Sequence, residues 1–159
     1  MEALTPADVQ QVLDSFGLKI RFFAQSTATS QEAADAVGTE LGSIVKSLCF
    51  MVNGQPVIVL AAGDQRVDDR KLAAYYGVSR KKVKIASAEE CVEIFGYPPG
   101  SVPPVAHRTP NIPIFIEDSL ARFEQLYAAA GAPNAIFPVT FEQLQALTGG
   151  KILDLKRDN

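Results

Sequence analysis

The sequence predicts an α+β domain, one mixed sheet with helices packed around it. Three observations lead there. Capped helical segments interleave with short β-branched and aromatic runs along the whole chain. Asn53-Gly54 sits between two such runs and joins them as a hairpin, so part of the sheet is antiparallel. No repeat, low-complexity tract or linker interrupts the 159 residues, which points to a single domain over 1–159. A chain of that length buries about two-thirds of its unfolded surface and needs no staple.

Thr5-Pro6-Ala7-Asp8 opens the first helix: Thr caps, Pro fits the first turn and Asp complements the dipole. Val9, Val12, Leu13 and Phe16 share its apolar face, and Gly17 ends it. Residues 19–23 read as a short strand. Thr29-Ser30-Gln31-Glu32 is a capping box for a second helix, carried by Ala33, Ala34 and Val37 and stopped by Gly38. A strand over 44–52 follows, then the Asn53-Gly54 turn and a strand over 57–61. Residues 68–76 read as helix ended by Gly77, and 83–85 as strand. Ser87-Ala88-Glu89-Glu90 is another capping box, for a helix through Phe95. The proline-rich stretch 97–110 reads as an ordered loop. Residues 112–116 read as a strand whose Pro113 puts it at a sheet edge or marks a strand start. Asp118 caps an expected helix through Ala130. Residues 135–139 read as strand, Thr140 caps a helix through Leu147, Gly149-Gly150 ends it, and 152–155 form the last strand.

Composition narrows the function classes. Hydrophobic residues make up 47% and charged residues 21%, as in ordinary soluble domains. No run is long enough to cross a bilayer and no signal peptide opens the chain, so no membrane partner is expected. Cys49 and Cys91 lie far apart in apolar segments and read as reduced core thiols, which fits a cytoplasmic setting. One histidine and two scattered cysteines leave no zinc site of the usual spacing, so no metal is expected. The net charge of −3 makes the whole surface no trap for polyanions; nucleic-acid contact must be local and small, or assisted by a partner. Basic residues do cluster at Arg66, Arg70 and Lys71, and at Arg80, Lys81, Lys82 and Lys84. They read as a solvated helix face or as a patch meeting a few phosphates. No P-loop, GxGxxG, GxSxG or Ser-His-Asp order occurs.

One lysine is out of place. In Gly42-Ser43-Ile44-Val45-Lys46-Ser47-Leu48-Cys49-Phe50-Met51-Val52, strand alternation puts Lys46 on one face with Ile44, Leu48, Phe50 and Val52. A buried unpaired ammonium costs several kcal/mol or sheds its proton. Lys46 therefore either snorkels out or lines a pocket. The second feature is Gly96-Tyr97-Pro98-Pro99-Gly100-Ser101-Val102-Pro103-Pro104. Prolines lack N–H groups, so Gly100, Ser101 and Val102 are the only consecutive donors. Pro99-Gly100 suits the centre of a type II turn. Such a loop either braces the structure or presents donors to an anion or developing oxyanion. His107, after the loop, reads as a structural histidine or a general base. The small residues around Gly131, in Ala129-Ala130-Gly131-Ala132-Pro133-Asn134-Ala135, either stop a helix or let backbone approach a ligand.

Lys46 in Ile-Val-Lys-Ser-Leu, the Gly-Tyr-Pro-Pro-Gly-Ser-Val-Pro-Pro loop, Ala-Ala-Gly-Ala-Pro-Asn-Ala-Ile-Phe and Leu-Thr-Gly-Gly-Lys-Ile-Leu-Asp-Leu together resemble the YbaK family, in order and over nearly the whole chain. These are free-standing aminoacyl-tRNA deacylases related to the editing domain of prolyl-tRNA synthetase. The resemblance implies a curved sheet, and hydrolysis of the ester that joins a wrong amino acid to a tRNA 3′ end. It implies Lys46 and Gly100 as catalytic residues and water as the nucleophile, helped by the neighbouring ribose hydroxyl, with no cofactor. Ser47, Ser101, Val102, Pro104, His107 and Gly131 are the expected substrate-binding residues. The partners implied are the 3′ end of aminoacyl-tRNA and an aminoacyl-tRNA synthetase. The alanine-specific branch has asparagine at the place of Ser47 and histidine before the proline where Phe137-Pro138 stands, so the amino acid stays open among small ones. Two alternatives share the fold: a non-catalytic tRNA- or synthetase-binding module, and a small-molecule binding protein.

Overall fold

The computed structural model describes residues 1–158. The helices are α1 (Pro6–Asp14), α2 (Ser30–Val37), α3 (Asp69–Tyr76), α4 (Ala88–Glu90) and α5 (Phe141–Thr148). The strands are β1 (Arg21–Phe22), β2 (Ile44–Val52), β3 (Gln55–Ala62), β4 (Val83–Ile85), β5 (Ile114–Glu117), β6 (Gln125–Ala129), β7 (Ala135–Thr140) and β8 (Lys151–Leu153). They form one sheet in the order β1-β7-β6-β2-β3-β5-β8, with β4 also on β2. The hairpin β2-β3 and the pair β6-β7 are antiparallel, whereas β2-β6, β3-β5 and β5-β8 are parallel. This is the expected mixed α+β sheet.

The capping boxes of α2, α4 and α5 form, at α1 the Thr5 N–H donates to the Asp8 carboxylate at 2.8 Å, and α2, α3 and α5 end on left-handed glycines. The strand alternation of β2 holds. Val45 and Cys49 enter the main core with Ile58, Leu60 and Phe137, while Phe50 and Val52 enter a second cluster with Val59, Leu72 and Phe115. Among the described residues no helix is long and apolar enough to cross a membrane.

Three local expectations change and one is decided between its alternatives. The helix expected over 118–130 is a 3₁₀ segment, Asp118–Arg122, followed by strand β6. Its alanines and apolar spacing suit a helix, but Leu126 and Ala128 are buried alternately as β6 fills the sheet between β2 and β7. Tertiary pairing overrides the weak local preference. Of the two alternatives for Pro113 the strand start holds and the edge does not: β5 runs between β3 and β8, and Pro113 immediately precedes its first paired residue. The Pro113 carbonyl still accepts the Ile58 N–H at 2.9 Å. The strand expected over 19–23 pairs only at Arg21 and Phe22. The helix after Ser87 widens into a π-helical turn over Cys91–Phe95, with Gly96 left-handed at its end.

Candidate active site

The site forms where one edge of β2 is interrupted. Ile44 and Val45 pair with β6, and Phe50, Met51 and Val52 pair with β4. Between those neighbours, Lys46, Ser47 and Leu48 pair only with β3. The Ile44 carbonyl accepts the Gly63 N–H on the β3 side at 2.8 Å, and the Cys49 carbonyl accepts the Ala86 N–H on the other side at 2.9 Å. Backbone groups alternate sides along an antiparallel strand, so the N–H and C=O of Ser47 point into the gap. The Ser47 Oγ is buried and has no hydrogen-bond partner. Leaving such a group unpaired costs about 1–3 kcal/mol, so three polar atoms of one residue stand ready for a ligand.

A cavity of about 210 Å³ occupies this gap. Lys46, Ser47, Gly100 and Val102 line it, together with Thr27 to Ser30 at the start of α2 and an apolar wall of Ala33, Ile44, Tyr127, Ala128 and Ile136. The first turn of α2 brings the positive end of a helix dipole to the cavity. Among the described residues, no carboxylate or imidazole lines it.

The proline loop supplies the facing wall. The Ser101 N–H donates to the Pro98 carbonyl at 3.1 Å and Gly100 has φ +87°, so Pro99-Gly100 do occupy the centre of a tight turn. This corrects one expectation: the Ser101 N–H closes the turn and is not a free donor. The N–H groups of Gly100 and Val102 donate to no protein atom among the described residues. Gly131 donates its N–H to the Ser101 carbonyl at 3.0 Å. His107 Nε2 donates to the Pro103 carbonyl at 2.7 Å, and Tyr97 OH to the Ala106 carbonyl at 2.8 Å. Ser101, Pro104, His107 and Gly131 are not among the residues that line the cavity, and His107 and Gly131 brace the proline loop through these bonds, whereas Lys46, Ser47, Gly100 and Val102 line the cavity.

Lys46 stands at the rim, half-buried, with Nζ donating to the Gln65 carbonyl. Burial lowers its pKa from the usual 10.5, the Arg66 guanidinium lowers it further, and the Asp64 carboxylate opposes both. Burial also lowers the pKa of His107, against the pull of its bond to Pro103. Among the described residues one carboxylate cluster elsewhere, Glu117, Asp118 and Asp154, could hold a cation, but Lys156 Nζ already lies 3.8, 3.0 and 3.3 Å from them.

The sequence reading missed Thr27 to Ser30 and the β6–β7 wall. The capping box at Thr29 marked a helix start but not what that start faces. The wall was hidden because β6 was expected to be helix.

The fold is shared with known proteins. Residues 24–147 match the model of the aminoacyl-tRNA editing domain, and the chain belongs to that family. An uncharacterized Bacillus subtilis protein, YwhH, is 31% identical over 140 residues, covering 86% of this chain and 85% of that protein. Proline–tRNA ligase of Staphylococcus aureus is 32% identical over 102 residues, which is 64% of this chain but only 17% of the ligase. A crystal structure of a candidate trans-editing enzyme for prolyl-tRNA synthetase superposes with a TM-score of 0.88 at 38% identity, covering 96% of this chain and 97% of that one.

Proposed function

We propose that the protein is a trans-editing hydrolase that deacylates mischarged aminoacyl-tRNA carrying a small amino acid. The observation that carries this reading is the convergence of Lys46, the unpaired Ser47, Gly100 and Val102 on one small cavity, with no protein acceptor for the Gly100 and Val102 N–H groups among the described residues. A cavity of about 210 Å³ with alanines in its wall suits a small aminoacyl group. Water attacks the ester carbonyl carbon, and the Gly100 and Val102 N–H groups stabilise the oxyanion that forms. The carbon–oxygen bond to the ribose then breaks, the ribose oxygen takes a proton, and the free amino acid leaves. With no carboxylate or imidazole in the lining, the neighbouring ribose hydroxyl relays the proton. Lys46 orients the terminal nucleotide through its charge. The tRNA 3′ end is the partner, with prolyl-tRNA synthetase the candidate source of mischarged substrate. Sorting by size gains only about 1–3 kcal/mol per methylene, the range in which a second sieve is useful.

A panel of tRNAs mischarged with different amino acids tests this. One small aminoacyl species should disappear far faster than in buffer, and Lys46→Ala should remove that activity. Loss of no species sinks the hydrolase reading, and binding without turnover would favour a tRNA-binding module.

A further inference from the structure

A second groove, of about 360 Å³, adjoins the candidate active site and shares Lys46 and Leu48 with it. Its other principal walls are Phe50, Ile85, Arg66 and Arg157. Among the described residues, Arg66 and Arg157 form no salt bridge, although the nearby Arg70, Lys71 and Arg80 each hold a carboxylate. Asp69, which also borders the groove, is engaged by Arg80 at 3.0 Å. The backbone places the two arginines side by side, because the Arg157 N–H donates to the Arg66 carbonyl at 2.7 Å. Beside them Ile85, on β4, is 76% exposed next to the apolar floor of Leu48 and Phe50. Basic side chains can meet a phosphodiester, and an exposed aliphatic side chain beside them can pack against a base through apolar contact.

The size of the first cavity points the same way. At about 210 Å³ it is smaller than the roughly 300–1,000 Å³ of pockets that enclose a drug-sized ligand. An aminoacyl group fits, but a whole nucleotide must extend outside it. Lys46 lies on the way out, and the groove begins there. From Lys46 to Phe50 the floor runs along roughly 13 Å of strand. We propose that this groove binds the nucleotide preceding the aminoacylated adenosine, with Arg66 and Arg157 on its phosphate and Ile85 against its base. This assignment rests on the tRNA-editing reading and names the stretch of RNA that the protein grips.

The test is binding of a 5′-labelled RNA trinucleotide, CCA, compared with adenosine 5′-monophosphate. The variant R66A/R157A should bind the trinucleotide about tenfold more weakly or worse, while adenosine 5′-monophosphate changes by less than about threefold. Its salt slope for the trinucleotide should flatten by about 0.7, because one phosphate is no longer neutralised. R66K/R157K should recover most of the affinity. Equal weakening for both ligands, no weakening, or no trinucleotide binding by the wild type each overturns the groove. Turnover separates the two readings. Arginine-dependent trinucleotide binding without hydrolysis of any mischarged tRNA keeps the groove and removes the hydrolase. Wild-type kcat/KM on mischarged tRNA in R66A/R157A does the reverse.

Discussion

Gly100 stands against Ala28: a Cβ on Gly100 would lie 2.9 Å from the Ala28 carbonyl oxygen and 3.2 Å from the Ala28 Cβ. Gly100 is also left-handed, at φ +87°. This contact sets the spacing between the proline loop and the segment that starts α2, which are two walls of the cavity. Gly100→Ala must therefore push the walls apart and strain the turn, by about 1–2 kcal/mol for the backbone alone. The expected result is a melting temperature lower by several degrees and a kcat/KM on mischarged tRNA lower by about 100-fold. A Gly100→Ala protein that turns over at the wild-type rate would show that the loop spacing does not position the ester.

Lys46→Met separates function from stability. Folding lowers the pKa of Lys46, so the unfolded chain holds this proton more tightly than the folded one. Its contribution to stability is complete only above the usual 10.5 and is reduced as pH falls through the folded value. At neutral pH the half-buried charge therefore opposes folding. Met keeps the apolar stem and removes the charge. The melting temperature of Lys46→Met should stay level or rise while deacylation is lost. A clear drop in melting temperature with retained activity would make Lys46 a structural residue.

Lys46 was legible because a cation on an apolar strand face violates the pattern that predicts the strand. The proline loop was legible because prolines remove donors and leave few to count. What the sequence could not show is where β2 loses its partner. That gap depends on β6 and β4 stopping short of each other on one edge, and their pairings bring together residues far apart along the chain. The same distance hides Arg157 from Arg66. The mistaken helix over 118–130 arose for a related reason. Ala128 and Ala129 favour helix in isolation, and only the neighbouring strands make them a sheet wall.

Ser47→Ala tests the unpaired hydroxyl. Removing a buried polar atom that has no partner leaves nothing unsatisfied behind, so stability should not fall. If the hydroxyl meets substrate, kcat/KM should drop by about tenfold at unchanged melting temperature. Ser47→Val fills the gap with an extra methyl and should block binding more strongly. Unchanged kinetics in Ser47→Ala would leave only the Ser47 backbone as a contact.

His107 is expected to act on the loop, not on the substrate. Its Nε2 donates to the Pro103 carbonyl, and burial lowers its pKa below the usual 6.5. The unfolded chain therefore takes up the proton first as pH falls. The stability contributed by neutral His107 is complete above 6.5 and is lost as pH drops from there through the folded value. His107→Gln can place an amide N–H on the same carbonyl but does not titrate. It should flatten the pH dependence of unfolding below pH 6.5 and keep most of the deacylase activity at neutral pH. Chemical denaturation across that range, paired with turnover of a mischarged tRNA, reads both. Abolished turnover in a fully folded His107→Gln protein would move His107 from the brace into the reaction.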